Sequence, residues 1–398
     1  MSEPSTDLSP TTLPPITLGA LFWRFLRFGM LAFGGPVAQI AMVRQALVDD
    51  ERWIAPERFN RLLAVMQALP GPEAHELCVH LGMIRRGRIG GLLAGLGFML
   101  PGFVLMLALA AAYTAFIAQM AGMSAALLGV QIAVLAVIAR AIPKIGAHIL
   151  TSRLLWALGA GALAATLLGV PFWIPLIAAG LVHAAIRNEL LALALFGAAV
   201  AGAWLLLPET PAAAQTVATG EATLAALFVA GLKGGLLTFG GAYTAIPYVR
   251  GDTVGRGWLT DGQFLDGVAF ATVLPAPLVI FATFAGYVAG GPWGALAITA
   301  GMFLPAFAFS MIFFERLEAV VDNSRLHRLL DGVAAAAVGI IAATLVQLAL
   351  AVWPRVEQPL IALALFAAAL AVMFAVKRPW AAPAVIAVAG AAGWALLG

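Results

Sequence analysis

The amino-acid sequence predicts an all-α membrane protein that crosses the bilayer many times and is built from two inverted repeats. Three observations predict this fold: the composition, two long runs without charge, and a set of motifs that recurs in the second half. Of the 398 residues, 63% are hydrophobic and 10% are charged, whereas a soluble domain carries about 25% charged residues. Because so few charged residues cannot cover the surface of a soluble protein, we expect most of the chain to lie in lipid.

Two runs contain no Asp, Glu, Lys, Arg or His, from Ile89 to Ala139 and from Gly267 to Phe314. A helix needs about 20 residues to cross the hydrocarbon core, so each run contains two spans. The first 19 residues are rich in Ser, Thr and Pro and are predicted to be a disordered tail. Hydropathy predicts thirteen spans after it, at 20–43, 62–84, 89–117, 124–141, 154–168, 170–186, 189–207, 222–248, 264–289, 291–314, 329–352, 358–376 and 379–397.

The positions of the basic residues predict the orientation, because loops rich in Lys and Arg face the cytoplasm. Fourteen basic residues lie in loops on the side of the N-terminus: Arg85, Arg86, Arg88, Arg140, Lys144, Arg153, Arg187, Arg250, Arg256, Arg316, Arg325, Arg328, Lys377 and Arg378. Five lie in the opposite loops: Arg44, Arg52, Arg58, Arg61 and Arg355. This places the N-terminus in the cytoplasm and the C-terminus outside. The 44–61 loop runs against the bias.

Other compositional features narrow the class of protein. The net charge of +3 and the pI near 9.3 do not indicate a nucleic-acid partner, because the basic residues follow the membrane topology. Cys78 is the single cysteine, so no internal disulfide can form.

The second half repeats motifs of the first in the same order. Four blocks recur at an offset that drifts from 206 to 204: Phe33-Gly34-Gly35 as Phe239-Gly240-Gly241, Arg27 and Arg44 as Lys233 and Arg250, Ala68-Leu69-Pro70-Gly71-Pro72 as Val273-Leu274-Pro275-Ala276-Pro277, and Phe98-Met99-Leu100-Pro101-Gly102-Phe103 as Met302-Phe303-Leu304-Pro305-Ala306-Phe307. Seven spans separate the copies, so the second copy is predicted to be inverted, an architecture of secondary transporters. We therefore divide the chain into repeats 20–188 and 222–398, joined by a connecting helix and loop at 189–221.

The glycine and proline motifs predict broken helices near the midplane. Gly-Gly and Pro-X-Pro interrupt helices, and backbone groups freed inside lipid must be buried in protein or line a wet cavity. A half-helix that begins there presents N–H groups that favour an anion. The alternative is that the glycines only permit close packing and the prolines only bend the helices. The symmetry of the motifs favours a site that includes Phe33, Gly34, Gly35, Pro36, Pro70, Gly71, Pro72, Phe239, Gly240, Gly241, Pro275 and Pro277.

Three charged residues complete the predicted site. Arg27 and Lys233 lie inside predicted spans, where charges are costly and usually functional. The repeat relates them, and two cations suit one dianion, although Arg27 could also extend to the cytoplasmic interface. Glu73 directly follows Pro72 and is a candidate for a protonatable coupling group. The alternative is a first-turn acid that stabilises the helix N-terminus.

Catalytic and metal sites are not predicted. His75 and His80 lie five residues apart, whereas a zinc-binding helix needs two histidines four apart on one face. The chain has no nucleotide-binding glycine loop and no nucleophile elbow, so neither an ATP-driven pump nor any cofactor is expected. A membrane enzyme acting on lipid phosphates would need clustered acids or a nucleophile–base pair at the cytoplasmic interface, whereas the acids of this sequence are few and scattered. A channel stays an alternative, because half-helices also occur in channels.

These residues resemble the chromate ion transporter family over nearly the whole chain. The resemblance rests on Arg27-Phe28-Gly29, Phe33-Gly34-Gly35-Pro36, Ala68-Leu69-Pro70-Gly71-Pro72-Glu73-Ala74, Leu100-Pro101-Gly102 and Thr238-Phe239-Gly240-Gly241. It implies the long-chain, two-domain form and export of chromate from the bacterial cytoplasm, conferring resistance. His75 and Glu76 stand where the family usually has glutamines. Sulfate or another tetrahedral oxyanion is the alternative substrate, and a homo-oligomer is compatible with the sequence.

Overall fold

The computed structural model describes residues 15–33, 35–68, 71–117, 120, 122–206, 221–238, 242–312, 324–376, 378 and 380–397. Within these residues the chain is helical and has no β-strand, which confirms the predicted all-α fold. The α-helices are α1 (Leu18–Met30), α2 (Gly35–Arg44), α3 (Pro56–Ala68), α4 (Glu73–Ala115), α5 (Met123–Ile149), α6 (Arg153–Leu167), α7 (Trp173–Ala185), α8 (Glu189–Leu206), α9 (Leu224–Leu236), α10 (Ala245–Thr253), α11 (Asp261–Val273), α12 (Phe281–Ile312), α13 (Ser324–Val352), α14 (Pro359–Ala375) and α15 (Ala381–Leu396).

The two repeats begin in the same way. Thr17 caps α1 by accepting a hydrogen bond from the backbone N–H of Ala20, and Thr223 caps α9 by accepting one from Ala226, each over 3.2 Å. A threonine at this position satisfies an N–H group that has no partner within the helix. The sequence repeat therefore fixes the start of the first helix in both halves.

Both α4 and α12 reverse direction at a glycine. Gly87 and Gly291 have φ values of 61° and 64° and ψ values of −157° and −158°. Only glycine adopts this conformation without steric cost. Beyond the turn, the two limbs of each helix pack closely, since a Cβ added to Gly82 or Gly286 would clash with the backbone of Gly90 or Gly294. Each of these two helices is thus a pair of antiparallel limbs.

Four of the thirteen predicted spans are not single helices, and the pair α9–α10 shows this most directly. The Nζ atom of Lys233 lies 3.2 Å from Oδ1 of Asp252, although a straight helix would separate these residues by about 28 Å. In the first repeat, Arg24 forms an ion pair with Glu51, and the rings of Phe25 and Trp53 are 6.2 Å apart. The segments predicted as spans 20–43 and 222–248 therefore enter and return on the same side.

The next pair of predicted spans, 62–84 and 264–289, doubles back in the same manner. A Cβ on Gly267 of α11 would clash with the Phe284 ring in the first limb of α12, and the Phe264 and Phe281 rings are 5.5 Å apart. The guanidinium of Arg85, at the end of the first limb of α4, lies 4.9 Å from the ring of Trp53. Hydropathy could not separate a hairpin of two half-helices from one span, because both are apolar and of similar length.

The repeats are interlocked rather than separate bodies. α5 of the first repeat packs against α14 and α15 of the second, and α13 of the second packs against α6 and α7 of the first. Gly129 of α5 is in close contact with the backbone of Ala389, and Gly332 of α13 makes the reciprocal contact with Ala179. The domain boundaries stay a prediction, but neither repeat completes its packing without the other.

Reciprocal contacts also define a pseudo-two-fold axis between the repeats. Gly71 contacts Ala306, while Gly102 contacts Ala276. Because Gly71 corresponds to Ala276 and Gly102 to Ala306 in the repeat, the two contacts are equivalent. Gly95, in the second limb of α4, contacts Phe307 in the second limb of α12. Phe307 is the repeat counterpart of Phe103 rather than of Gly95. Equivalent positions of the two limbs therefore do not face each other, as they would in a parallel pair, so the two limbs cross in antiparallel directions. The axis is therefore perpendicular to these helices, as inverted repeats require.

The hairpins change the topology that we infer. Nine apolar helical segments of the described chain remain as candidate crossings: the second limbs of α4 and α12, with α5, α6, α7, α8, α13, α14 and α15. Five of them separate the repeats, an odd number, so the second repeat is still inverted. The four arginines of the 44–61 loop then lie in the cytoplasm, and the two at 250–256 lie outside. The loop that ran against the charge bias now agrees with it.

Single cysteines at Glu57 and Arg256 test this topology in a Cys78→Ala background. The nine-span topology expects Glu57→Cys to react with a membrane-impermeant maleimide only from the cytoplasmic side, and Arg256→Cys only from the outside. The thirteen-span topology expects the reverse at both positions. Labelling of intact cells and of inverted vesicles checks this, and labelling after permeabilisation shows that each cysteine is reactive. Both topologies place the C-terminus outside, so a reporter at Gly398 does not discriminate between them.

Candidate functional site

The helix breaks of the two repeats meet inside the protein. The Nε2 atom of Gln39, which is 1% exposed, donates to the backbone oxygens of Ala32 and Ala276, each over 2.9 Å. The backbone N–H of Gly71 donates to the oxygen of Thr238 over 2.9 Å. Each break in one repeat thus satisfies backbone groups in a break of the other. The predicted site residues Gly34, Pro70, Phe239, Gly240 and Gly241 lie outside the described residues.

A cavity of about 130 Å³ opens at this junction. Gly35 and Pro36, at the N-terminus of α2, contribute to one wall, and Ala276, between the predicted Pro275 and Pro277, contributes to another. The remaining lining residues are Val137, Arg140, Ala141, Lys144, Tyr243, Ala271, Thr272, Leu274, Leu278, Met373, Arg378 and Ala382. The structure therefore brings together parts of two predicted motifs that lie some 240 residues apart in the chain.

Three cations surround the cavity. Arg140 and Lys144 are four residues apart on α5 and so share one face of that helix, and Arg378 comes from the loop between α14 and α15. Among the described residues that line the cavity, none is an Asp or Glu. The N-terminus of α2 adds its partial positive charge. The charge of this lining is complementary to that of an anion.

The sequence prediction assigned these three cations to cytoplasmic loops and did not include them in the site. It ended the predicted span at residue 141, whereas α5 continues to Ile149. The signal was present in the sequence: Arg140 and Lys144 have helical spacing and follow an uninterrupted apolar helix. The sequence could not show that the helix breaks lie beside Arg140 and Lys144 in the folded protein.

The paired cations of the prediction do not line this cavity. Lys233 pairs with Asp252, which also lies 3.2 Å from Arg256. Arg27 lies in the last turn of α1 and is exposed. The expectation that Arg27 and Lys233 together hold one dianion did not include Asp252, which compensates the charge of Lys233 and is brought to it by the α9–α10 hairpin.

The other predicted residues have local structural roles in the described chain. Pro72 caps α4, and its carbonyl accepts from the N–H groups of His75 and Glu76, so a half-helix does begin at Glu73 as predicted. Pro277 precedes a 3₁₀ turn at Leu278–Ile280 that leads into α12. Phe33 is 47% exposed.

The pair His75 and Glu76 is buried against the other repeat. The His75 ring packs edge-on against Phe303 and Phe307, with centroids 4.9 and 4.7 Å away. Among the described residues, no cluster of three metal-binding side chains is found. The carboxyl oxygens of Glu76 have no hydrogen-bond partner in the described part of the chain.

A second cavity, of about 700 Å³, lies at the pseudo-symmetric position. Its wall includes Gln347 of α13, which follows Gly332 by the same distance that Lys144 follows Gly129 on α5. Its charged residues are Arg250, Asp252 and Asp261, and Nε of Arg250 lies 2.7 Å from Oδ1 of Asp261. The two cavities are related by fold but differ in charge, since only the first is free of carboxylates among its described lining residues.

The chain is similar to known proteins over almost its whole length. A family model described as "Chromate transporter" matches residues 19–185 and 225–394, once for each repeat. The "Chromate transport protein" of Pseudomonas aeruginosa is 56% identical over 398 residues, covering 99% of this chain and 95% of that protein. The "Chromate transport protein" of Cupriavidus metallidurans is 32% identical over 360 residues, covering 85% and 84% of the two chains. The "Probable chromate transport protein" of Synechococcus elongatus is 31% identical over 349 residues, covering 84% and 85%. No solved structure matches this chain.

Removing the Gln39 side chain tests the junction between the breaks. Gln39→Ala leaves the buried oxygens of Ala32 and Ala276 without this donor, which costs about 1–3 kcal/mol for each unsatisfied group. We expect a lower unfolding temperature of the detergent-solubilised protein, measured by thermal aggregation followed on size-exclusion chromatography. Gln45→Ala is the matched control, because Gln45 only bonds the exposed Asp50. Equal unfolding temperatures for the two variants would contradict a stabilising role for Gln39.

Proposed function

The chain belongs to the chromate transporter family, and we propose that it is a secondary transporter that exports chromate from the cytoplasm across the bacterial inner membrane. It is a multi-pass membrane protein and a transport protein rather than an enzyme. The observation that carries the proposal is the cation-lined cavity at the helix breaks. Export of chromate by this route would confer chromate resistance on the cell.

The cavity has the chemistry that a tetrahedral dianion requires. Taking an unpaired charge out of water is very costly, so a site must supply opposite charges and hydrogen-bond donors. Each cation at about 4 Å contributes roughly 4 kcal/mol of attraction per unit charge near a protein surface. Arg140, Lys144 and Arg378 together exceed the charge of chromate by one. The site can therefore bind the dianion and still be open to water on one side.

The glycines and prolines of the breaks remain the proposed backbone part of the site. Gly35 and Pro36 line the cavity, where the N-terminus of α2 offers N–H groups to an oxyanion. The other proposed backbone contributors are Phe33, Gly34, Pro70, Gly71, Pro72, Phe239, Gly240, Gly241, Pro275 and Pro277. We assign the charged part of the site to Arg140, Lys144 and Arg378. Arg27 and Lys233 are no longer included, because Asp252 already pairs with Lys233.

The difference in charge between the two cavities supports export. In the nine-span topology the cationic cavity faces the cytoplasm, because α5 ends there and Arg378 lies in a cytoplasmic loop. The outer cavity carries two carboxylates, and its Arg250 is already paired with Asp261. The cationic cavity therefore suits the loading of chromate from the cytoplasm better than the outer cavity suits its loading from outside. The membrane potential adds about 4.6 kcal/mol in favour of a dianion leaving the cell for each 100 mV.

Two lysine variants test the location of the site. We expect Lys144→Met to reduce chromate uptake into inverted membrane vesicles at least about tenfold, which corresponds to about 1.4 kcal/mol of lost binding. Lys233→Met is the matched control, with the same change at the cation first predicted, and should stay near the wild-type rate at equal protein levels. The reverse result would return the site to Arg27 and Lys233.

Competition by sulfate in the same vesicles tests the substrate. Sulfate has the same shape and charge as chromate, so the charged residues that line the cavity do not discriminate between these two anions. Inhibition of chromate uptake by equimolar sulfate would identify a general oxyanion transporter. Failure of a large excess of sulfate to inhibit would support chromate as the specific substrate.

A further inference from the structure

A buried carboxylate network joins four segments on the side of the protein away from the cationic cavity. The Oδ2 atom of Asp266 accepts from the Tyr113 hydroxyl, and its Oδ1 atom accepts from Nε2 of Gln131, each over 2.8 Å. The Nη1 atom of Arg355 donates to Oε1 of Gln131 over 2.9 Å. Asp266 and Gln131 are 2% and 1% exposed. The four side chains come from α11, α4, α5 and the 3₁₀ turn after α13.

The arrangement of donors favours an ionised carboxylate at Asp266. Because Arg355 can only donate, Gln131 must present its oxygen to Arg355 and its NH₂ group to Asp266. A protonated Asp266 keeps an acceptor oxygen for Gln131 but has to donate its own hydrogen, which the hydroxyl oxygen of Tyr113 can accept. Binding of a proton therefore reverses the hydrogen bond between α11 and α4 and removes the charge that strengthens the links of α11 to α4 and α5.

The surrounding elements leave Asp266 with these partners only among the described residues. α12 contributes the Phe284 ring, which packs against Tyr113 at 5.0 Å, and α12 and α15 contain no charged residue. The remaining charged pair near α11 is Asp261 with Arg250 at its first turn, which Gln347 of α13 also contacts. The charge state of Asp266 is thus set by two neutral donors and by Arg355 one side chain further away.

The network connects the outer water to the cationic cavity through two helices. Arg355 is an exposed residue in the loop that the nine-span topology places outside. α5 carries Gln131 and, two to four turns further on, Arg140 and Lys144; α11 carries Asp266 and then Ala271 and Thr272 of the same cavity wall. A change at Asp266 therefore acts on both helices that form the anion site.

On the basis of the proposed function, we propose that Asp266 is the proton-binding site that couples chromate export to proton entry. The Asp266 carboxylate takes one proton from the outer water and becomes the neutral acid, which weakens the links of α11 to Gln131 and Tyr113. The same proton leaves to the cytoplasm when the network re-forms. No other bond is made or broken, and the net exchange is one proton inward against chromate outward.

Two other carboxyl groups are weaker candidates for this role. Glu76 is completely buried, and its carboxyl has neither a cation nor a donor in the described part of the chain. A carboxyl in such a place stays neutral, like the glutamine that the family usually has there. Glu73, to which the sequence assigned the coupling role, lies at the N-terminus of α4, where an ionised acid is stabilised. Asp266 lies between two donors whose hydrogen bonds to its charged form are stronger than those to its neutral form.

Chromate uptake into inverted vesicles with an imposed pH gradient tests the proposal. One coupled proton raises the chromate accumulation ratio up to about tenfold per pH unit when the lumen is the acidic side. We expect Asp266→Asn to abolish this stimulation while chromate–chromate exchange at equal pH continues. Glu76→Gln is the matched control and should respond to the gradient as the wild type does. A gradient response of wild-type size in Asp266→Asn would overturn the proposal.

The experiment also separates this inference from the proposed function. Wild-type vesicles that take up no chromate would refute both, whereas uptake that ignores the pH gradient would refute the coupling alone. Exchange by Asp266→Asn shows that the variant is folded. If it is not inserted, Tyr113→Phe replaces it: removal of one donor to the carboxylate should move the lumenal pH of half-maximal stimulation upward. An unchanged midpoint in Tyr113→Phe would contradict the role of Asp266.

Discussion

Backbone groups freed by a helix break inside lipid have no water to bind, and this constraint governs the architecture of the protein. In the first repeat, α1 ends at Met30 before α2 begins at Gly35, and α3 ends at Ala68 before α4 begins at Glu73; in the second, α9 ends at Leu236 and α11 at Val273. Gln39 and the Gly71–Thr238 hydrogen bond satisfy these groups across the repeat boundary. Neither repeat can expose its breaks to lipid, so each break must be buried against the other repeat. The interlocked packing of α5 and α13 with the last helices of the opposite repeat follows the same requirement.

The fold is nearly symmetric, but the charges are not, and function follows from this difference. The repeated backbone forms two cavities at related positions. Lys144 lines one, and Gln347 occupies the same position along the related helix in the other. The inner cavity lacks acidic lining residues in the described chain, whereas the outer cavity contains Asp252 and Asp261. The backbone repeat thus does not extend to the charged residues that line the two cavities.

Close packing of small residues holds the two limbs of α4 together, and likewise the two limbs of α12. Gly82 and Gly90 bring the limbs of α4 together, and Gly286 and Gly294 do the same in α12. Association of helices in lipid depends on such contacts, because burial of apolar side chains gains little there. Some of the glycines in the sequence are thus packing residues. Gly87 and Gly291 lie at the turns of α4 and α12, where a positive φ favours glycine.

The sequence alone determined that the protein is helical, lies in a membrane and consists of two repeats, because apolar composition and recurring motifs are local properties of the chain. It also located the helix breaks at their glycines and prolines. It could not decide that four apolar segments are hairpins, since a hairpin and a span have the same hydropathy; only pairs such as Lys233 with Asp252 show the reversal. Nor could it bring Arg140 and Lys144 to the breaks, or Asp266 to Tyr113 and Gln131. Those contacts join residues far apart in the chain, so only the tertiary structure decided which charges meet the breaks and which carboxylate is buried among donors.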